Sequence, residues 1–245
     1  MIPLNEQSNR KVLLKKLNQL NCKPKEGIII ILDADRTLYE EDTSRILNEY
    51  ADIEINEIKQ GFNDGYIYQG FYNMSKIYSR INKKDYLMYC ELIANQIKLY
   101  DGVKEFIHNM INNTNIFIVS SGIKKILEII MQKNNLEEIP IIGGIHKDFD
   151  DYIIGRNEKG FICEHLKSFN GEVFAFGDTD VDSLMLQKAD HAIIVVNHRK
   201  NWDLLPKIRK HPSLYQISFN NYFHPKIRHI SYKNCKKIFK NLLDR

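Results

Sequence analysis

A chain of 245 residues that is 43% hydrophobic and 27% charged can bury a sizeable core, which excludes a disordered or small disulfide-held protein. It contains no run of about 18 apolar residues, so no membrane-spanning helix is expected. Four scattered cysteines (Cys22, Cys90, Cys163, Cys235) form no C-x-x-C pair, which argues against a thiolate metal site and for a reduced compartment. The formal net charge of +4 is uneven: residues 199–245 carry +10 and residues 1–198 carry −6.

Residues 6–21 place Val12, Leu13, Leu14, Leu17 and Leu20 between polar residues, the spacing of an amphipathic helix laid on a core. Charges at Glu6, Arg10, Lys11, Lys15 and Lys16 interrupt the N-terminal segment, which lacks the apolar centre of a signal peptide; a cytoplasmic location is expected. Ile28–Leu32 is a continuous apolar run, as in a strand buried on both faces of a parallel sheet. It ends on Asp33 and Asp35. Residues 39–100 mix Tyr, Asn, Ile, Lys and Glu at helical spacing, as in 44–58 and 84–99, with a glycine-rich turn region at 61–70. They predict a helical insertion. Residues 1–38 and 101–245 then make the core.

In the core, strand and helix alternate. Val103–Met110 predicts a helix, 116–119 a strand, Lys124–Lys133 a helix and 139–142 a short strand. Residues 148–155 are acidic and irregular, suggesting a hairpin. A helix follows at 161–169, a strand at 173–176, a helix at Ser183–Lys188, and strands at 192–196 and 215–219. This order predicts an α/β fold, a doubly wound parallel sheet.

Three of these strands end in polar groups. The first ends at Asp33-x-Asp35, the second at Ser120–Ser121–Gly122, and a later one at Asp178, Thr179, Asp180, Val181 and Asp182. Lys159 precedes the helix leading to the last. Parallel neighbours would bring the ends together, where open sheets hold their ligands. Hard oxygen donors in this number suit Mg²⁺. Lys159 and the N–H groups near Ser121 and Gly122 can hold phosphate oxygens. One carboxylate can attack phosphorus and a second can transfer the proton.

The order "IIIILDADRTL", "IFIVSSG", "EKG", "AFGDTDVDSLML", over residues 28–196, resembles the haloacid dehalogenase superfamily of phosphohydrolases. The phosphoserine phosphatase-like branch, with a type 1 helical cap, is the most similar. The resemblance implies a Mg²⁺-dependent phosphatase acting on a small phosphate monoester through an aspartyl-phosphate. It implies Asp33 as nucleophile and Asp35 as general acid and base. Ser120, Ser121, Gly122 and Lys159 would hold the phosphoryl group. Asp33, Asp35 (through its backbone carbonyl), Asp178 and Asp182 would hold the metal, and Asp42 would contact the substrate. Thr179 and Val181 depart from the branch's usual Gly and Asn, and Asp42 from its usual Glu.

Plainer readings stand beside these. Asp33 and Asp35 could cap a following helix, as Ser120 could, and Asp42 suits the N-cap of a helix from Thr43. Lys147 and Lys167 rival Lys159. Asp180 reads as a solvated turn residue. His108, His146, His165 and His191 show no ligand spacing, and Trp202 and the insertion's tyrosines read as packing. The basic tail, with Lys233, Lys236, Lys237 and Lys240 near one helix face, reads as a solvated helix. Its alternative is a contact to nucleic acid, with a phosphatase or phosphotransferase acting on nucleic-acid ends or another large anionic substrate. The expected partner is a small phosphorylated metabolite, with no membrane.

Overall fold

A computed structural model describes residues 5–19, 27–143, 152–196, 203–219 and 222–235. Cys22, His146, Lys147, residues 148–151 of the suggested hairpin, Trp202, Lys236, Lys237 and Lys240 lie outside them. Seven strands form one sheet: β1 (Ile28–Leu32), β2 (Thr114–Ser120), β3 (Ile141–Gly143), β4 (Glu172–Gly177), β5 (His191–Val196), β6 (Leu214–Ser218) and β7 (Arg228–Ile230). Their order is β3-β2-β1-β4-β5-β6-β7 and every pairing is parallel. The run Ile28–Leu32 is buried along its whole length because it is the middle strand of this sheet.

The sheet alternates its side chains between two covered faces. Ile29, Ile31, Phe117, Val119, Val173 and Ala175 point to one face. There they meet α1 (Glu6–Gln19), α8 (Arg156–Lys167), α9 (Ser183–Lys188) and α10 (Leu205–Ile208) through Leu13, Ile162, Met185 and Ile208. Ile28, Ile30, Leu32, Ile118 and Phe176 point to the other. They meet α6 (Val103–Met110) and α7 (Lys124–Lys133) through Phe106, Ile107, Ile126 and Ile130. The doubly wound fold expected from the sequence is present.

Between β1 and α6 lie α2 (Thr43–Tyr50), α3 (Ile55–Gln60), α4 (Tyr68–Tyr78) and α5 (Lys83–Gln96). The segment leaves and re-enters at one neck, where Tyr39 bridges Leu99 in antiparallel fashion and Tyr100 N–H donates to Leu38 O at 2.8 Å. The helix expected over 44–58 is two helices. The left-handed backbone of Asp52, φ 52°, turns the chain between them.

The helix expected at 161–169 begins earlier, at Arg156. Glu158 Oε2 accepts from the Gly155 N–H at 3.0 Å and starts it there. Gly160 is therefore inside the helix. A Cβ at that position would come within 2.9 Å of Leu184 Cβ, so the glycine serves the close packing of α8 on α9. Residues 152–155 form no strand, so the described part of the suggested hairpin is absent. Asn9 instead clasps this stretch, its side chain exchanging two 2.8 Å bonds with the Ile153 backbone.

Of the basic tail, residues 203–219 and 222–235 are described; Lys233 is exposed, and Lys236, Lys237 and Lys240 lie outside the described residues. Tyr232 and Cys235 are buried in the face of the sheet that carries α6 and α7. No helix among the described residues is long and apolar enough to cross a membrane.

Candidate active site

The carboxyl ends of β2, β1 and β4 stand side by side, and each hands on to polar residues. β1 keeps its ladder one residue further, Asp33 N–H donating to Phe176 O at 3.0 Å, and Asp33 is only 5% exposed. Lys159, in the first turn of α8 rather than before it, reaches Asp33 Oδ1 at 2.5 Å and Asp182 Oδ1 at 2.6 Å. Thr37 Oγ1 donates to the second oxygen, Asp33 Oδ2, at 3.1 Å. Asp182 Oδ2 accepts from the N–H groups of Asp178 and Thr179, both at 3.1 Å, which ties the loop after β4 into a tight turn. One carboxylate oxygen each from Asp33, Asp178 and Asp182 lie within 4.8 Å of one another.

Burial raises Asp33 to about 7, helped by repulsion from Asp182 and opposed by Lys159. Asp178 rises well above its ordinary value through burial, against the pull of Arg36. Burial works against the charge on Lys159, but Asp182 and Asp33 outweigh it and hold the ammonium protonated above its usual range. The cluster is thus a buried, acid-rich site in which cations are needed to offset repulsion.

Asp35 is held by a separate set of donors. Its Oδ1 accepts from Tyr39 Oη at 2.6 Å and its Oδ2 from Thr43 N–H at 2.8 Å; Thr43 Oγ1 lies 2.8 Å from Oδ2. Burial and the nearby Asp42 raise it to about 6, while Tyr39 and Thr43 pull it down. Gly122 joins this pair to the end of β2. Its N–H donates to Ser120 Oγ at 3.0 Å. A Cβ built on Gly122 would fall 3.0 Å from Asp35 Oδ2 and 3.2 Å from Ser120 Oγ, so only glycine leaves that space open. Ser121 Oγ is buried there without a hydrogen-bond partner among the described residues.

Of the residues singled out in the sequence, Asp33, Asp35, Ser120, Ser121, Gly122, Lys159, Asp178 and Asp182 converge here. Lys167 pairs instead with Asp190 at 2.5 Å. Asp42 caps α2, its Oδ1 accepting from Arg45 N–H at 3.1 Å, and its Oδ2 takes Arg36 Nη1 at 2.9 Å. Asp180 is not solvated: it pairs with Arg156 at 3.1 Å and with Lys207. Arg36, Thr37, Tyr39 and Thr43 went unnoticed in the sequence. Arg36, with φ 58°, puts Nε 2.8 Å from Asp178 Oδ2. Its place immediately after Asp33-x-Asp35 was the one signal available.

No protein-family model matches the chain, and no curated protein matches it in sequence. Solved structures do. A substrate-bound phosphoserine phosphatase complex is 19% identical, with 89% of this chain and 99% of that one covered and a TM-score of 0.58. A phosphoserine phosphatase from T. onnurineus, in complex with NDSB-201, is 16% identical over 89% and 96%, with a TM-score of 0.56. A phospho-aspartyl intermediate analogue of phosphoserine phosphatase is 18% identical over 89% and 100%, with a TM-score of 0.53. At these identities the likeness establishes the fold: an all-parallel α/β sheet flanked by helices, like the haloacid dehalogenase-type phosphatase structures.

Proposed function

We propose that the protein is a Mg²⁺-dependent phosphatase that hydrolyses a small phosphate monoester through an aspartyl-phosphate on Asp33. The observation that carries this is the junction of Asp33, Lys159, Asp182 and Asp178 at one strand end, with Asp35 and the Gly122 space beside it. The phosphatase-like fold supports it.

The donor set fits a hard divalent cation: three buried acids with oxygens within 4.8 Å of one another, and no sulfur or imidazole among them. Asp33, Asp178 and the backbone carbonyl of Asp35 would hold the ion, with Asp182 as a further ligand or support. When bound, it would neutralise phosphate charge and orient the phosphoryl group.

The chain's own groups divide the remaining work. Lys159 and Ser120, with the N–H groups at Ser121 and Gly122, take the phosphoryl oxygens. Asp33 attacks phosphorus as the ester P–O bond breaks, and Asp35 gives its proton to the departing oxygen. Asp35, then a carboxylate, takes a proton from water. That water attacks the aspartyl-phosphate, releasing phosphate and restoring both acids. An Asp35 raised to about 6 can hold and release a proton near neutral pH.

Residues 39–100 act in this reading as a cap over a core made of 1–38 and 101–245, supported by the neck at Tyr39, Leu99 and Tyr100. Asp42 would reach the leaving group from the first turn of that cap. The reading is tested by phosphate release from a panel of phosphate monoesters. Turnover is expected with Mg²⁺, none with a chelator, and recovery on adding Mg²⁺ back. Full activity in chelator would overturn the metal assignment, and no turnover on any ester would overturn the function.

A further inference from the structure

The last described segment of the chain returns to the loop that carries Asp33. After β7, Tyr232 enters the core at 2% exposure, and its Oη donates to the backbone carbonyl of Thr37 at 2.7 Å, across 195 residues of sequence. Thr37 is the residue whose hydroxyl holds Asp33 Oδ2. The same turn is closed by the N–H groups of Thr37 and Leu38, both donating to Ala34 O, at 3.0 and 2.8 Å. The Tyr232 ring is itself fixed. Phe106 and Phe176 lie with centroids 5.7 and 6.1 Å away, and Phe219, beside β6, lies at 6.4 Å.

We propose that Tyr232 is a positioning residue for Asp33, acting through Thr37. The inference rests on the reading of Asp33 as nucleophile. Its physical basis is the number of supports on one carboxylate. Lys159 and Thr37 each fix one Asp33 oxygen, and the direction of the Thr37 hydroxyl depends on where the 34–38 turn sits. A hydrogen bond from a rigid aromatic anchor to a buried carbonyl holds that turn against the sheet. Losing it leaves a buried acceptor unpaired, and the turn relaxes to satisfy it. A displaced turn misaims the Asp33 oxygen that attacks. On this account β6 and β7 carry the chain to a point from which it braces the active site. The described end of the chain acts here through one phenol.

The test compares the full chain with Tyr232→Phe, which keeps the ring and removes only the hydroxyl, and with Lys233→Glu, which reverses a neighbouring exposed charge. For Tyr232→Phe, kcat on an aryl phosphate with Mg²⁺ should fall about tenfold while KM stays within about twofold, because alignment rather than binding is lost. Lys233→Glu should keep kcat. Hydrogen exchange of the Thr37 and Leu38 amides should quicken in Tyr232→Phe whether or not the protein turns over an ester. Unchanged exchange overturns the anchor. Quickened exchange with unchanged kcat overturns the positioning role. A parent protein inactive on every ester, together with quickened exchange in the variant, keeps the anchor and removes the phosphatase reading instead.

Discussion

Lys159 Nζ stands 2.5 Å from Asp33 Oδ1, an ammonium and a carboxylate brought together across 126 residues of chain. Both are buried, and the same ammonium also holds Asp182. Breaking a buried ion pair at one partner strands the other charge, at a cost of about 3–5 kcal/mol. Lys159→Met keeps the stem and removes the charge. Urea unfolding without divalent metal should show a loss of about that size. A midpoint equal to the parent's would mean that the two acids are not held in check by Lys159.

Asp42 gives one oxygen to the N-terminus of α2 and the other to Arg36. Asp42→Ala should lower stability by about 1 kcal/mol through the lost cap. If capping is its whole role, kcat/KM for an aryl phosphate and for the best natural ester should change alike. A loss confined to the natural ester would place Asp42 against the substrate's leaving group.

Glu158 starts α8, with Oε1 buried and without a hydrogen-bond partner among the described residues. Burial pushes its carboxyl from 4.5 up to about 7. The folded state therefore binds the proton more tightly than the unfolded one, and stability from this group falls as pH rises from about 4.5 to 7, then levels. Glu158→Gln cannot titrate and can still accept from Gly155 N–H. The stability of Glu158→Gln relative to the parent should therefore rise across that window, as read by urea midpoints at several pH values. A constant difference would show that Glu158 is not a buried acid of raised pKa.

Much of the fold and most of the candidate site were legible in the residues. Ile28–Leu32 announces a strand covered on both faces, and two acids at its end announce a site. Adjacent parallel ends then bring Ser120, Asp178 and Asp182 to the same place. Val103–Met110, Lys124–Lys133 and Ser183–Lys188 fall where their apolar spacing puts them.

What was missed depended on distant contacts or on short elements. The helix expected from 161 starts at Arg156, and Gly160 inside it packs against Leu184, a contact that spacing does not show. Asp180 reads as solvated until Arg156 and Lys207 arrive from other parts of the chain. β7 and α10, three and four residues long, are too short to show a period. Tyr232 lies too far in sequence from Thr37 for spacing to connect them.

The central claim is that Asp33 carries the phosphoryl group. The direct measurement is rapid quenching of the Mg²⁺-loaded protein with an aryl phosphate, followed by peptide mass mapping. Asp35→Asn, slow to activate water but still phosphorylated by an aryl phosphate whose leaving group needs little protonation, serves to accumulate the adduct. The account expects a phosphoryl group on the Asp33 side chain, enriched in Asp35→Asn and absent, with turnover, from Asp33→Asn. A phosphoryl group on another residue, or steady turnover by Asp33→Asn at the parent rate, would contradict it.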